Sequence, residues 1–116
     1  GLSLCRVTIT SGGDLGVGSL GWYQNGGYYM PNFIVSKASS TINVWIPSDM
    51  PDGAVLIFRA AAGGTINVSS RNFSDQFQWG AQWDNSYKPY APVVPGALNI
   101  MVYDKASHTW YSHCIS

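Results

Sequence analysis

Apolar and polar side chains alternate along Leu4-Cys5-Arg6-Val7-Thr8-Ile9-Thr10, and Thr41-Ile42-Asn43-Val44-Trp45-Ile46 keeps the same two-residue period with β-branched and aromatic residues. That period predicts strands with one face buried. Ala54-Val55-Leu56-Ile57-Phe58-Arg59 follows a Pro51-Asp52-Gly53 turn as a near-continuous apolar run, the pattern of a central strand buried on both faces. A further strand, Thr65-Ile66-Asn67-Val68, follows Gly63-Gly64. Leu98 to Tyr103 and Thr109 to Ile115 flank Asp104-Lys105-Ala106-Ser107-His108, which predicts a hairpin with a short loop. No long window carries a 3.6-residue period, and no Glu or Gln completes a capping box. Strands at short intervals between Gly, Pro and Asp turns predict an all-β fold, an antiparallel β-sandwich or jelly roll. At 116 residues one compact domain, 1–116, is expected.

Two segments depart from the strand pattern. Ser11 to Gly27 is rich in Gly and poor in apolar side chains, which predicts a long loop or irregular wrap. Gln76 to Pro95 holds Trp79, Trp83, Tyr87 and Tyr90 among Gly80, Pro89, Pro92 and Pro95. A long aromatic loop inside a small domain is more often functional than not.

Charge narrows the function classes. Six Lys or Arg balance six Asp, Glu is absent, and the net charge is zero. Phosphate binding needs an excess of cations, so a nucleic-acid partner is not expected. Apolar stretches such as Ala54 to Phe58 fall far short of the roughly 20 residues of a membrane-spanning helix. Gly1 to Thr10 alternates instead of pairing a basic start with an apolar run, so a mature product or an excised domain is expected. With five Trp, seven Tyr and four Phe, an uncharged surface suits sugar recognition or tight self-association.

Catalysis finds little support. A glycosidase needs two carboxylic acids flanking the scissile bond. Asp49, Asp52 and Asp104 sit in turn contexts where Asp caps the backbone, which leaves Asp75 and Asp84 as the one pair to test. His108 and His113 have no Gly-x-Ser-x-Gly nucleophile turn to serve. Two His without Glu also predict no metal site, and no cofactor is expected.

Binding is better supported. Sugars stack their C–H faces on Trp and Tyr, and their hydroxyls pair with Asn, Gln and Asp. Gln76 to Tyr87 mixes both kinds, which makes Trp79, Gln82, Trp83, Asp84, Asn85 and Tyr87 candidate ligand-binding residues. Trp79 and Trp83, four apart, would also share one face of a strand, so a core ladder or subunit interface is the competing reading. Trp22 and Tyr23 form a second candidate patch with Tyr28 and Tyr29, where Gly26-Gly27 turns the chain; cross-strand packing in a hairpin explains it equally well. The sequons Asn67-Val68-Ser69 and Asn72-Phe73-Ser74 are read as chance occurrences. Cys5 and Cys114 stand near opposite ends. If both terminal strands are neighbours, a disulfide would close a loop of about 110 residues and add roughly 4 to 5 kcal/mol. Otherwise the two thiols act as small apolar groups.

Ile42 to Pro47, Met50 to Arg59 and Gly63 to Val68 together resemble the small β-domains that tip bacteriophage tail fibres and tailspikes. In those domains a strand ends at Pro, a Pro-Asp-Gly-like turn follows, and an apolar strand leads to a Gly turn and a Thr-Ile strand. The closing Met101 to Tyr111 is similar to their terminal hairpins. The resemblance covers about half the chain and has no counterpart for Gln76 to Pro95. It implies a non-catalytic, homotrimeric receptor-binding head on the virion that adheres to cell-surface glycans, with the Cys pair reduced. Two alternatives are a small secreted lectin-like or defence protein with Cys5 bonded to Cys114, and a polysaccharide-cleaving enzyme using Asp75 and Asp84.

Overall fold

The computed structural model describes residues 4–16, 22–24, 27–79 and 87–115, with 22–24, 27–29 and 115 described by their backbone alone. Within them the chain forms β1 (Arg6–Ile9), β2 (Gly13–Asp14), β3 (Trp22–Gln24), β4 (Gly27–Tyr29), β5 (Phe33–Ser36) and β6 (Ile42–Ile46). There follow β7 (Val55–Ala60), β8 (Ile66–Ser70), β9 (Gln76–Gln78), β10 (Tyr90–Val93), β11 (Leu98–Asp104) and β12 (Thr109–Ile115). The expected all-β class holds, with no helix among the described residues.

Six strands form one sheet in the order β1-β5-β7-β11-β12-β9, and four form a second in the order β10-β8-β6-β2. The two-residue period decides which side chains meet between them. From the larger sheet, Ile34, Leu56, Phe58, Met101, Tyr103, Trp110 and Phe77 point inward, and Val44, Ile46, Ile66, Val68, Ala91 and Val93 come from the smaller one; all join a single buried cluster. Tyr103 and Trp110, cross-strand partners in the terminal hairpin, stack with ring centroids 4.6 Å apart.

The antiparallel expectation needs correcting, because both sheets are mixed. β5 pairs parallel with both β1 and β7, β6 pairs parallel with both β8 and β2, and β12 pairs parallel with β9. From β5 to β8 the chain alternates between the sheets. Each crossing reverses its direction, so β5 and β7 run the same way in one sheet, as do β6 and β8 in the other. A sequence of hairpins would have kept neighbours antiparallel. The expected terminal hairpin is present, from Leu98↔Ile115 to Asp104↔Thr109.

The segments set aside as irregular also contain strands. Ser11 to Gly27 holds β2 and β3, and β3 and β4 pair antiparallel as Trp22↔Tyr29, Tyr23↔Tyr28 and Gln24↔Gly27. β9 and β10 lie inside the Gln76 to Pro95 segment. Pro92 is accommodated because β10 is an edge strand, where a missing N–H costs no ladder bond.

A disulfide within the chain is ruled out by strand order. Cys5 immediately precedes β1 and Cys114 lies in β12, with β5, β7 and β11 between those strands. Four spacings of about 4.8 Å separate them by roughly 19 Å, against a bridgeable Cα separation of about 7 Å. Both thiols are free, Cys5 partly buried and Cys114 exposed. Denatured, unreduced protein should therefore take up two equivalents of alkylating agent by mass; a product with none would place the cysteines in a bond.

Candidate functional site

The outward face of the four-stranded sheet differs chemically from its buried face. In β6 and β8 the inward positions are Ile42, Val44, Ile46, Ile66 and Val68, all buried, and the alternate positions are Asn43, Trp45, Asn67 and Ser69. Register aligns those outward residues across the sheet. Asp14 pairs with Trp45, Trp45 with Ser69 and Ser69 with Tyr90. The adjacent row is Asn43, Asn67 and Pro92. Trp45 and Tyr90 thus stand on strands two spacings apart, about 10 Å, with the small Ser69 between them.

The turn after β8 closes one end of this row. Asn72 Oδ1 accepts a hydrogen bond from the Ser74 N–H at 3.1 Å, and the Asp75 N–H donates to the Asn72 carbonyl at 2.9 Å. This is an Asx-type turn, in which a side chain replaces a backbone partner. Its tip holds Phe73 out at 89% exposure. Ser70 Oγ accepts from the Asn72 N–H at 3.1 Å and donates to Asp75 Oδ2 at 2.7 Å. The result is a cleft of about 230 Å³ bounded by Trp45, Phe73, Pro89 and Tyr90, with Ser69, Ser70, Asn72 and Asp75 also on its wall.

Two charge contacts set the walls. Arg71 donates through Nε to Asp14 Oδ1 at 2.6 Å and through Nη2 to Oδ2 at 3.1 Å. Its guanidinium also lies over the Trp45 ring, 4.1 Å from the centroid, a cation–π contact that fixes the ring. The hydrogen bond from Arg71 holds the Asp14 carboxyl below its ordinary pKa. Asp75 is different in kind. Its side chain is 1% exposed with His108 Nδ1 3.5 Å away, and Tyr103 OH donates to its Oδ1 at 2.7 Å. Burial, then this hydrogen bond, pushes the Tyr103 hydroxyl up to about 12. Asp75 anchors the turn from below.

The sequence-predicted residues divide. Trp79 packs against the core, donates through Nε1 to the Tyr90 carbonyl at 2.7 Å and has Lys88 Nζ 4.7 Å from its ring centroid. It buttresses Tyr90 and lines a second cleft of about 220 Å³ with Pro92, Val94, Asn99 and Cys114. Tyr87 is 55% exposed. Gln82, Trp83, Asp84 and Asn85 lie outside the described residues, as do the side chains of Trp22 and Tyr23 on β3. The carboxylate pair proposed for cleavage is therefore described only at Asp75, whose two oxygens are both engaged. Asp52 and Asp104 cap the terminal turn, accepting from the Lys105 N–H and from Ser107 Oγ, each at 2.9 Å.

Sequence reasoning missed Trp45, Ser69, Asn72, Phe73 and Tyr90 as site residues. The usable signals were Trp45 at an outward position of an Asn-bearing strand, and Phe73 behind a turn-forming Asn. Among the described residues no group of three or more His, Cys, Asp or Glu is placed to hold a metal ion, and no helix is long and apolar enough to cross a membrane. Comparisons with family models, curated proteins and solved structures found no match to this chain.

Proposed function

We propose that the chain is a non-catalytic glycan-binding β-sandwich whose site is the trough between Trp45 and Tyr90. The observation that carries this reading is the cross-strand row Trp45–Ser69–Tyr90. Two stacking contacts of about 4.5 to 5 Å each fill a gap of about 10 Å, so one sugar ring over Ser69 can meet an aromatic ring on each side. Asn67, in the row next to Ser69, offers an amide donor and acceptor to its hydroxyls. Arg71 is committed to Asp14, and no Lys or Arg is among the described residues lining the trough, which favours a neutral sugar over a phosphate. The resemblance extends the reading to the tip of a viral fibre or spike, where several copies turn weak single sites into firm adhesion. A homotrimer is the assembly it implies. The separated cysteines remove the bridge on which the secreted lectin-like alternative rested.

Trp45→Ala and Tyr90→Ala are each expected to weaken binding to cell-surface polysaccharide by about ten-fold or more, the loss of one stacking contact and its buried area. Glycan arrays and whole-cell adsorption measure this, with circular dichroism to confirm the fold. Wild-type binding by both variants would overturn the assignment.

A further inference from the structure

One inward position of the larger sheet is polar where packing alone favours an apolar side chain. Along β11 the buried residues alternate as Asn99, Met101 and Tyr103, and register sets Asn99 beside the fully buried Phe58 of β7. At 1% exposure an amide normally makes all its hydrogen bonds within the protein. Asn99 does not. Its Oδ1 accepts from Ser112 Oγ at 2.6 Å, while its Nδ2 reaches the Pro92 carbonyl only at a stretched 3.5 Å. Because that carbonyl can only accept, the contact fixes which end of the amide is nitrogen. An amide nitrogen carries two N–H donors, so the second has no partner among the described residues. It stands at the foot of the second cleft, about 220 Å³ in volume, whose walls are Trp79, Pro92 and Val94, with Ser112 and Cys114 beside the amide.

We infer that this cleft is a second sugar subsite, which holds one neutral hexopyranose ring through two adjacent hydroxyls. The groups present select that ligand. Asn99 offers an N–H donor, and Ser112 Oγ, whose proton is committed to Asn99, offers its lone pairs as an acceptor. A donor and an acceptor side by side match a vicinal diol, in which one hydroxyl accepts and its neighbour donates. Trp79 supplies the surface for the C–H face of the ring. Its Nε1 is bound to the Tyr90 carbonyl at 2.7 Å, which fixes the indole and leaves its carbon surface for contact. The volume lies below the roughly 300 to 1,000 Å³ of pockets that enclose drug-sized ligands, so the cleft suits one ring and not a chain. No Asp, Lys or Arg is among the described residues lining it, which favours a neutral ring over an acidic one. Tyr90 walls the trough and Pro92 walls this cleft, so both border the edge strand β10. The inference rests on the proposed function for sugar as the ligand, and on Asn99, Ser112 and Trp79 for its place.

Cys114 reports occupancy, because its exposed thiol lines this cleft and not the trough. Iodoacetamide labelling of the native chain, followed at each cysteine by mass, is compared with and without the methyl glycosides of glucose, galactose and mannose. At about ten times its Kd, at least one of these should slow labelling of Cys114 about ten-fold by mass action and leave Cys5 unchanged. Ser112→Ala, with its fold checked by circular dichroism, should lose that protection. If no sugar slows Cys114 at the highest soluble concentration, or if folded Ser112→Ala is protected as fully as the wild type, the inference is overturned. Should Ser112→Ala fail to fold, the wild-type measurement decides alone. The Trp45→Ala adsorption assay separates the two sites. Protection at Cys114 with no effect of Trp45→Ala sinks the trough and leaves this subsite, whereas an effect of Trp45→Ala with no protection at Cys114 removes the subsite and leaves the trough.

Discussion

Gly64→Ala should lower unfolding stability by about 3 to 4 kcal/mol, more than almost any other single-methyl addition to this chain. A Cβ at Gly64 would stand 2.7 Å from the Ala38 carbonyl oxygen and closer still to that of Ser40. Both obstacles are backbone, so no rotamer change relieves them. The segment after β5 and the turn after β7 must then separate, which breaks the Gly64 N–H bond to the Ala38 carbonyl. The strain passes directly into the smaller sheet, because the Ile42 N–H donates to the Thr65 carbonyl at 2.9 Å and Ile42↔Ile66 opens the β6–β8 register. That register aligns Trp45 with Ser69, so weaker glycan binding should accompany the lost stability. Gly63→Ala is the control. Gly63 has φ +92° with open space around its Cβ position, and Ala there pays only the backbone strain, about 1 to 2 kcal/mol. Urea unfolding of both variants decides: if Gly64→Ala proves no more costly than Gly63→Ala, the close approach is not what holds the two loops together.

Those adjacent glycines show where reading the sequence stops. Gly63-Gly64 announces a turn, yet nothing local says that one glycine supplies a positive φ and the other a close backbone approach, since the obstacle to the second lies at Ala38 and Ser40. The same division runs through the fold. β6, β7, β8, β11 and β12 were legible because period-two runs of β-branched residues report their own burial. β5 and β9 are too short to show a period, and β10 carries a Pro that argues against a strand unless its edge position is known. Parallel pairing was invisible, because it depends on the chain switching sheets. The candidate site followed the same logic. Aromatic density drew attention to Trp79 and Trp83, whereas the trough joins positions 45, 69 and 90, which no sequence window contains.

Raising the pH from about 10 to about 12 should destabilise the fold through Tyr103 alone by roughly 2 to 3 kcal/mol. The Tyr103 hydroxyl, ordinarily near 10, is pushed up to about 12, first by burial and then by its hydrogen bond to Asp75. Below pH 10 native and unfolded chains both keep the proton, and the full stabilisation is present. Between 10 and 12 the unfolded chain has released it while the native chain retains it, so stability falls by about 1.4 kcal/mol per pH unit. Above 12 the native phenol ionises too, and the contribution is gone. A phenolate 2.7 Å from a buried carboxylate cannot persist without expelling one of them. Tyr103→Phe should lack this decline and start lower at neutral pH by about 1 to 2 kcal/mol, because Asp75 Oδ1 loses its hydroxyl donor. The two stability curves, measured by urea unfolding, should therefore close and then cross as the pH rises through this range; parallel curves would show that the pair contributes nothing specific. Because Asp75 also accepts from Ser70, which in turn holds the Asn72 N–H, the same alkaline range should loosen the turn that presents Phe73. Glycan affinity is then expected to fail before the sheets unfold.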